Sequence, residues 1–302
     1  MRRLTTTILL ILTAAIYSSA QNDLIVGQYI HNQYAINPAF AGSREGLSIF
    51  GSWRKQWASI ENTPTSLLLT AHAPLKKEKL TVGLQVWSQT IHQSRNSGAE
   101  VSIGYRTKVS QNSWLSLALL PGVSMRSTDW TTVKTIDEGD DIFSEKTTST
   151  SPLLGFGIGH YSKRHFVGLS VTSLFLCDDF EMSDSEFAPG KAQYVATGGY
   201  MFDAGKVKVQ PSVMASYSKA NEFDATGTVT AIWNDFIWID AAYSTRNELN
   251  FGAAIQALPQ LRIAYNYGLT TGDLSKYSNG THEISIQYDL VYKIKTVGPR
   301  FF

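Results

Sequence analysis

The sequence predicts an all-β fold, a transmembrane outer-membrane β-barrel of about 14 antiparallel strands, on three observations. Apolar and polar residues alternate with a period of two along most of the chain, which is typical of strands. Short and long connections between the alternating segments follow one another in turn, as they do in outer-membrane barrels. A leader typical of exported proteins precedes the first segment.

The composition excludes several other classes of protein. The 302 residues are 43% hydrophobic, 12% aromatic and 17% charged, so the chain has enough apolar surface to fold and little charge for a soluble domain. After the first 20 residues, no apolar run approaches the roughly 18 residues that a membrane-spanning helix needs. With 26 basic and 25 acidic residues, the chain has no charge excess that would favour a nucleic-acid partner.

The N-terminus has the pattern of an export signal. Arg2 and Arg3 precede an apolar stretch at residues 8–16, and small residues at 18–20 suit a signal peptidase. We therefore expect the mature protein to reside in the cell outer membrane. The predicted divisions are a signal peptide at residues 1–20, an N-terminal plug or periplasmic arm at residues 21–46, and a barrel at residues 47–302.

The last predicted strand shows the alternation most clearly. Ile284, Ile286 and Leu290 share one face, whereas Ser285 and Gln287 share the other. The apolar face is predicted to contact lipid and the polar face to line the barrel interior. Fourteen such segments are predicted, at about residues 47–57, 65–73, 80–89, 98–107, 113–126, 152–160, 165–174, 193–202, 206–218, 223–233, 236–244, 249–256, 260–269 and 282–292.

The connections between these segments alternate in length. Those after even-numbered segments are short and are predicted to be periplasmic turns, at residues 74–79, 108–112, 161–164, 203–205, 234–235 and 257–259. Those after odd-numbered segments include three long ones, predicted to be outer loops, at residues 127–151, 175–192 and 270–281.

A soluble β-sandwich is the alternative fold, because its strands also alternate. Against it stand the even number of segments, their usual length of about 9 to 11 residues, and a polar face rich in Gly, Ser, Thr and Gln rather than Lys and Glu. Aromatic residues at segment ends are predicted to form interfacial girdles, and these are Trp57, Trp114, Trp233 and Tyr292.

A barrel of this size encloses a lumen of intermediate width, which something must fill or use. Mixed charges on the polar face are predicted to pair inside it, and these are Arg54, Glu100, Arg106, Lys208, Arg262, Glu283 and Asp289. Gly155, Gly157 and Gly159 share one face of a strand and are predicted to make room inside. The candidates for filling the lumen are the N-terminal segment and the acidic loop at residues 127–151.

No catalytic, metal or cofactor site is predicted. The chain lacks a Gly-x-Ser-x-Gly elbow, a His-Glu-x-x-His zinc motif and a phosphate-binding Gly-x-x-x-x-Gly-Lys loop. Outer-membrane lipases pair a His with a Ser in a barrel wall, and Ser278 and His282 invite that comparison. Ser278 is followed by Asn279 and Gly280, which are ordinary loop residues, so we interpret it as part of a loop.

Several runs of residues near the two ends of the chain carry a family resemblance. The opening runs are QYIHNQYAINPAFAGS at residues 28–43, WRKQW at residues 53–57 and LTAHAPL at residues 69–75. The closing runs are GTHEI at residues 280–284 and PRFF at residues 299–302. Together they resemble the PorP/SprF family of the type IX secretion and gliding-motility apparatus of Bacteroidetes. The resemblance implies an outer-membrane barrel that works with the secretion machinery and with a secreted surface protein or adhesin.

The leading hypothesis is therefore a non-enzymatic barrel that docks, exports or tethers a secreted protein while contacting outer-membrane lipid. The alternatives are a diffusion or uptake channel, which requires an open lumen, and an outer-membrane hydrolase, which requires a nucleophile. The resemblance also selects residues that either seat the N-terminus in the barrel or contact a partner. These are Gln28, Asn32, Gln33, Asn37, Pro38, Gly42, Arg54, Gln56 and Trp57.

Overall fold

The structure is a computed structural model, and it describes residues 29–44, 46–75, 78–132, 146–172, 192–218, 222–271 and 273–290. The predicted signal peptide, Gln28, Tyr292 and most of the two longest loops lie outside these residues. No helix in the described ranges is long and apolar enough to span a membrane.

The described residues form fifteen strands in one sheet. The ninth strand continues the eighth beyond Met201, because both pair with the tenth. The wall therefore has the fourteen members that the sequence predicts. The strands are β1 Leu47–Lys55, β2 Thr65–Pro74, β3 Leu80–Ile91, β4 Ser94–Ser110, β5 Ser113–Asp129, β6 Lys146–Ser162, β7 His165–Thr172, β8 Gln193–Tyr200, β9 Phe202–Asp203, β10 Val207–Ser218, β11 Glu222–Trp233, β12 Ile237–Ser244, β13 Glu248–Leu258, β14 Leu261–Thr270 and β15 Thr281–Leu290.

The sheet closes on itself. Each strand pairs antiparallel with its neighbours along the chain, and β1 pairs with β15 to complete the ring. At this seam, Gly51 lies opposite Ile286 and Arg54 lies opposite Glu283. Closure leaves no exposed sheet edge within the bilayer, which is the condition for strands to span it. The predicted fold class is confirmed.

The two faces of the wall follow the predicted alternation. In β15, Ile284 and Ile286 are 46% and 50% exposed on the outer face, whereas Ser285 and Gln287 are buried on the inner face. The outer face presents apolar side chains to lipid, and the inner face presents polar side chains to the lumen. The protein lies in the outer membrane, where this arrangement is stable.

One of the predicted girdle residues lies on the inner face of the wall, where it cannot form part of a girdle. Trp233, at the end of β11, is exposed on the outer face as predicted. Trp114 instead shares the inner face of β5 with Ser116, and the Arg106 guanidinium lies 4.4 Å from its ring centroid. The prediction for Trp114 was wrong because a position near a strand end does not determine which face a side chain takes.

Three neighbouring strands are longer than the bilayer requires. β4, β5 and β6 have 17 residues each, whereas about 9 to 11 residues suffice for a spanning strand. The first residues of β6, 146–150, are polar and are exposed or half-exposed on both faces. At about 3.3 Å per residue, a surplus of roughly six residues adds about 20 Å along each strand, which at a tilt of about 45° raises this part of the wall roughly 14 Å beyond the bilayer on the outer side.

Candidate functional site

The candidate site is the interior of the barrel, where residues 29–44 lie across the lumen. We call these residues the lumen segment. All of them are buried except Ala35 and Ile36, which are half-buried, and the segment contains two short 3-10 turns, Gln33–Ala35 and Pro38–Phe40. The segment approaches β1 through Gly42, whose φ of +66° favours glycine.

Asn37 and Pro38 form a bend within the lumen segment. Asn37 is extended, and its side-chain oxygen accepts a hydrogen bond from the Ala39 N–H at 2.9 Å, capping the turn that begins at Pro38. Its Nδ2 donates to the carbonyls of Ile158 in β6 and Leu169 in β7, at 3.1 and 3.2 Å. One side chain thus joins the lumen segment to two wall strands.

Wall glycines provide the space for this bend. A Cβ on Gly157 would collide with Asn37 Oδ1, and a Cβ on Gly168 would lie 2.6 Å from Asn37 Nδ2. Across the lumen, a Cβ on Gly83 would collide with the Tyr34 hydroxyl. Any larger residue at these positions therefore requires the segment to shift. The inner face of the wall and the lumen segment are therefore complementary in shape.

Hydroxyl and amide groups attach the segment to the wall on opposite sides. The Tyr29 hydroxyl donates to Thr228 Oγ1 in β11 at 3.1 Å, and the Tyr34 hydroxyl lies 3.0 Å from Ser102 Oγ in β4. Asn32 Nδ2 donates to Thr70 Oγ1 in β2 at 3.0 Å. Burial raises the pKa of the Tyr34 hydroxyl, so this group is an uncharged hydrogen-bond partner.

An apolar cluster accompanies these polar contacts. The Phe40 ring centroid lies 5.8 Å from that of Tyr161 and 6.1 Å from that of Phe166, both on the inner face of the wall. Tyr29 and Ile30 belong to the same buried cluster. A packed apolar cluster inside a barrel excludes water, which favours a segment held in one position.

Charged and polar groups bind the C-terminal end of the lumen segment near the periplasmic rim. Arg44 Nη1 lies 2.8 Å from Asp289 Oδ2 in β15, and the Gly42 N–H donates to His72 Nδ1 in β2 at 3.0 Å. Arg106 in β4 donates to the Gly42 carbonyl and to the Tyr161 hydroxyl. Two predicted lumen charges, Arg106 and Asp289, are thus partners of the segment.

The other predicted lumen charges have partners in the wall and its turns. Arg54 lies 3.3 Å from Glu248 and 3.6 Å from Glu283, near the outer end of β1. Glu100 accepts a hydrogen bond from Gln85 at 3.5 Å. The guanidinium of Arg262 lies 4.2 Å from the ring centroid of Trp238, and Lys208 pairs with Asp235 at 2.5 Å in a periplasmic turn.

Of the nine residues selected by the family resemblance, Gln28 lies outside the described residues, Arg54 lies in β1, and the other seven divide into two groups. Asn32, Gln33, Asn37, Pro38 and Gly42 lie within the lumen segment, where the Gln33 side chain is buried in the first 3-10 turn. Gln56 and Trp57 follow β1 in an outer connection, where the Gln56 N–H donates to the Pro64 carbonyl at 2.9 Å. These two do not belong to the lumen segment. Whether either group contacts a partner stays a prediction.

Sequence reasoning did not single out several residues that hold the segment. These are Tyr29, His31, Tyr34, Arg44 and His72, of which His31 lies 3.3 Å from Asp240 in β12. Four of them lie in or beside the run at residues 28–43. That run, which carries the family resemblance, was the sequence signal that could have identified them. His72 shares the polar phase of β2 with Thr70, and both are buried.

The residues compared with an outer-membrane lipase do not form its hydrogen-bonded pair. His282 lies on β15, where its Nδ1 is 2.7 Å from the Tyr265 hydroxyl. Ser278 Oγ instead accepts the Gly280 N–H at 3.0 Å. Among the residues that the structure describes, no group of three His, Cys, Asp or Glu side chains is placed to hold a metal ion.

Comparisons with known proteins agree with the fold. The family model described as type IX secretion system membrane protein PorP/SprF matches residues 18–288. A solved monoaromatic hydrocarbon channel, CymD, is 11% identical with a TM-score of 0.52, covering 91% of this chain and 95% of its own. The P. putida toluene transporter TodX is 8% identical with a TM-score of 0.50, covering 88% and 94%. No curated protein sequence matches.

An enzyme is also among the similar structures. Outer membrane phospholipase A from Escherichia coli is 10% identical with a TM-score of 0.37, covering 82% of this chain and 94% of its own. At these identities the likeness to solved barrels shows the fold alone, and this last likeness carries no argument about activity.

Proposed function

Because the chain belongs to the type IX secretion system membrane protein family PorP/SprF, we propose that it holds a secreted protein at the outer membrane. In this role it docks, exports or tethers its cognate partner and catalyses no covalent reaction. It associates with the secretion machinery while its apolar outer face contacts lipid.

The observation that carries the proposal is the lumen segment. Its hydrogen bonds and ion pair reach β2, β4, β6, β7, β10, β11, β12 and β15, which surround the lumen. A segment bonded across the lumen in this way favours a closed barrel over a channel for diffusion of solutes. A closed barrel instead provides a rigid, membrane-held surface on which another protein can be bound.

The outer side of the barrel is the proposed surface for the secreted protein. There β4, β5 and β6 extend beyond the bilayer, and residues 146–150 of β6 are polar and accessible. Long connections on a rigid scaffold commonly carry binding sites. We therefore place cargo contact on this extension and on the outer connections at residues 127–151 and 175–192.

A deletion strain tests the proposed function in the cell. Loss of the gene should leave a particular secreted protein inside the cell or shed from its surface, as measured by mass spectrometry of surface-exposed proteins. The wild-type gene and a His282→Ala variant should both restore display, because His282 has no catalytic role in this proposal. Normal display of every type IX cargo in the deletion strain would contradict it.

Photocrosslinking tests the location of the contact. A photoreactive amino acid at Thr148, exposed in the outer extension, should capture a secreted protein in living cells. The matched control is Lys206, exposed in a periplasmic turn, which should not capture that protein. Capture at Lys206 alone would place the contact on the opposite side of the membrane and overturn this assignment.

A further inference from the structure

A polar cavity lies at the periplasmic rim of the wall, apart from the lumen segment. It has a volume of about 490 Å³ and lies between the β4–β5 turn, the β6–β7 turn and the end of β8. Its lining includes Asn112 from the first turn, Lys163, Arg164 and His165 from the second, and Tyr200 from β8. No residue of the lining is acidic.

The two cations of this cavity are adjacent in one turn and, like the exposed Lys79 and Lys206 of other periplasmic turns, make no ion pair with a described residue. Arg44 pairs with Asp289 and Lys208 pairs with Asp235. Lys163 and Arg164 are exposed and make no ion pair with any residue that the structure describes. Their positive charge is therefore available to an external anion.

Hydrogen bonds fix the backbone of the turn that carries the two cations. Ser162 Oγ accepts the N–H groups of Arg164 and His165, both at 3.1 Å. The His165 ring lies parallel to that of Tyr200 with centroids 6.5 Å apart, so the side of the cavity that faces lipid is aromatic. Aromatic rings in this position are typical of the boundary between headgroups and hydrocarbon.

Small residues lie on the lipid-facing wall next to the aromatic side of this cavity. On the outer face of β8, Ala196 and Gly198 lie opposite Leu169 and Val167 of β7, which are each 56% exposed. A Cβ added at Gly198 would find its nearest neighbour, the Phe166 carbonyl, only at 3.7 Å. Small residues between larger ones leave a shallow depression on the lipid-facing wall, which we call the groove.

We propose that this cavity binds the phosphate of an anionic phospholipid in the periplasmic leaflet, with an acyl chain in the groove over Ala196 and Gly198. Lys163 and Arg164 supply the charge, and Asn112 supplies a neutral hydrogen-bond donor. A free phosphate would use only these polar groups and not the groove. The groove beside the cavity favours a lipid over a free anion.

Native mass spectrometry of the mature protein in detergent tests the proposal. With phosphatidylglycerol as the probe, the wild type should retain the lipid more strongly than phosphatidylcholine with the same acyl chains. A Lys163→Ala, Arg164→Ala double variant should weaken phosphatidylglycerol binding by about tenfold or more, because each cation that contacts the bound headgroup contributes roughly fivefold in affinity. The matched control, Lys79→Ala with Lys206→Ala, removes two exposed cations from other periplasmic turns and should retain the lipid.

A second variant tests the groove separately. Gly198→Leu fills the depression without changing charge and should weaken phosphatidylglycerol binding while both cations remain. A heat-dependent shift in gel migration shows that each variant still forms a closed barrel. Equal lipid retention in the two double variants would overturn the proposal. Displacement of the lipid by millimolar inorganic phosphate would identify a free-anion site instead and would also overturn it.

Discussion

The two halves of the lumen are held together in different ways. In the periplasmic half, a segment from the start of the chain bridges the wall, as when Asn37 bonds to Ile158 and Leu169. In the outer half, residues of neighbouring or nearby strands pair with one another, and Arg54 of β1 lies 3.6 Å from Glu283 of β15 across the seam. The first half therefore depends on the N-terminal segment, whereas the second depends on closure of the wall.

This difference separates two properties of the barrel, closure of the lumen and stability of the wall. We expect contacts in the periplasmic half to govern whether the lumen is closed, and contacts in the outer half to govern the stability of the wall. A variant in one half should change one property and leave the other. Accessibility of the lumen segment can be measured by maleimide labelling of Ser43→Cys in a Cys177→Ser background, because Cys177 is the chain's only native cysteine.

The largest effect is expected from Gly157→Leu in the periplasmic half. Its side chain would occupy the space of Asn37 and displace the lumen segment. Overpacking of this kind costs up to about 3 kcal/mol, so maleimide labelling at position 43 should accelerate by a factor on the order of 100. Gly227→Leu is the control, because Gly227 faces open space on the outer side of β11. Equal labelling rates would show that the segment does not fill this space.

A smaller effect is expected from Arg54→Met in the outer half. The substitution leaves Glu248 and Glu283 without their shared cation, which should lower the free energy of unfolding by about 2 kcal/mol. The measurement is urea unfolding in liposomes, followed by gel mobility. Lys55→Met removes a cation from the adjacent outward position and should cost less. Addition of Glu283→Gln should restore part of the lost stability. Faster labelling at position 43 in Arg54→Met would contradict the separation of the two halves.

The smallest effect is expected from Asn37→Ala. It removes the hydrogen bonds to two wall carbonyls and the cap of the Pro38–Phe40 turn, but it leaves the Phe40 cluster intact. A loss of about 1 to 2 kcal/mol should accelerate labelling at position 43 by a factor on the order of 10. Asn279→Ala, in an exposed outer connection, is the control and should not alter labelling. An unchanged rate in Asn37→Ala would mean that these bonds do not hold the segment.

The wall was predictable from sequence because alternation is a local signal. The opposite faces of Ile286 and Gln287 follow from a period of two, and the structure places them as predicted. Short turns such as residues 234–235 indicated where neighbouring strands connect. The prediction that Trp114 belongs to a girdle was wrong because it rested on the residue's position at a strand end, and that position does not determine which face of the sheet a side chain takes.

The contacts inside the lumen were not predictable, because they join residues far apart in the chain. Arg44 and Asp289 are separated by 245 positions, and Tyr29 and Thr228 by 199. Periodicity places Thr228 on the inner face but cannot identify the side chain opposite it. Gly157 was expected to make room inside the barrel, yet only the structure identifies Asn37 as its occupant.

Planar-bilayer recording tests most directly the central claim that the protein's own segment closes the lumen and leaves the barrel to act as a binding surface. The intact mature protein should show little conductance. Deletion of residues 21–36 removes Tyr29 and Tyr34 with their wall contacts, and it should produce a clear increase. Steady, large conductance from the intact protein would contradict the account and favour a diffusion or uptake channel.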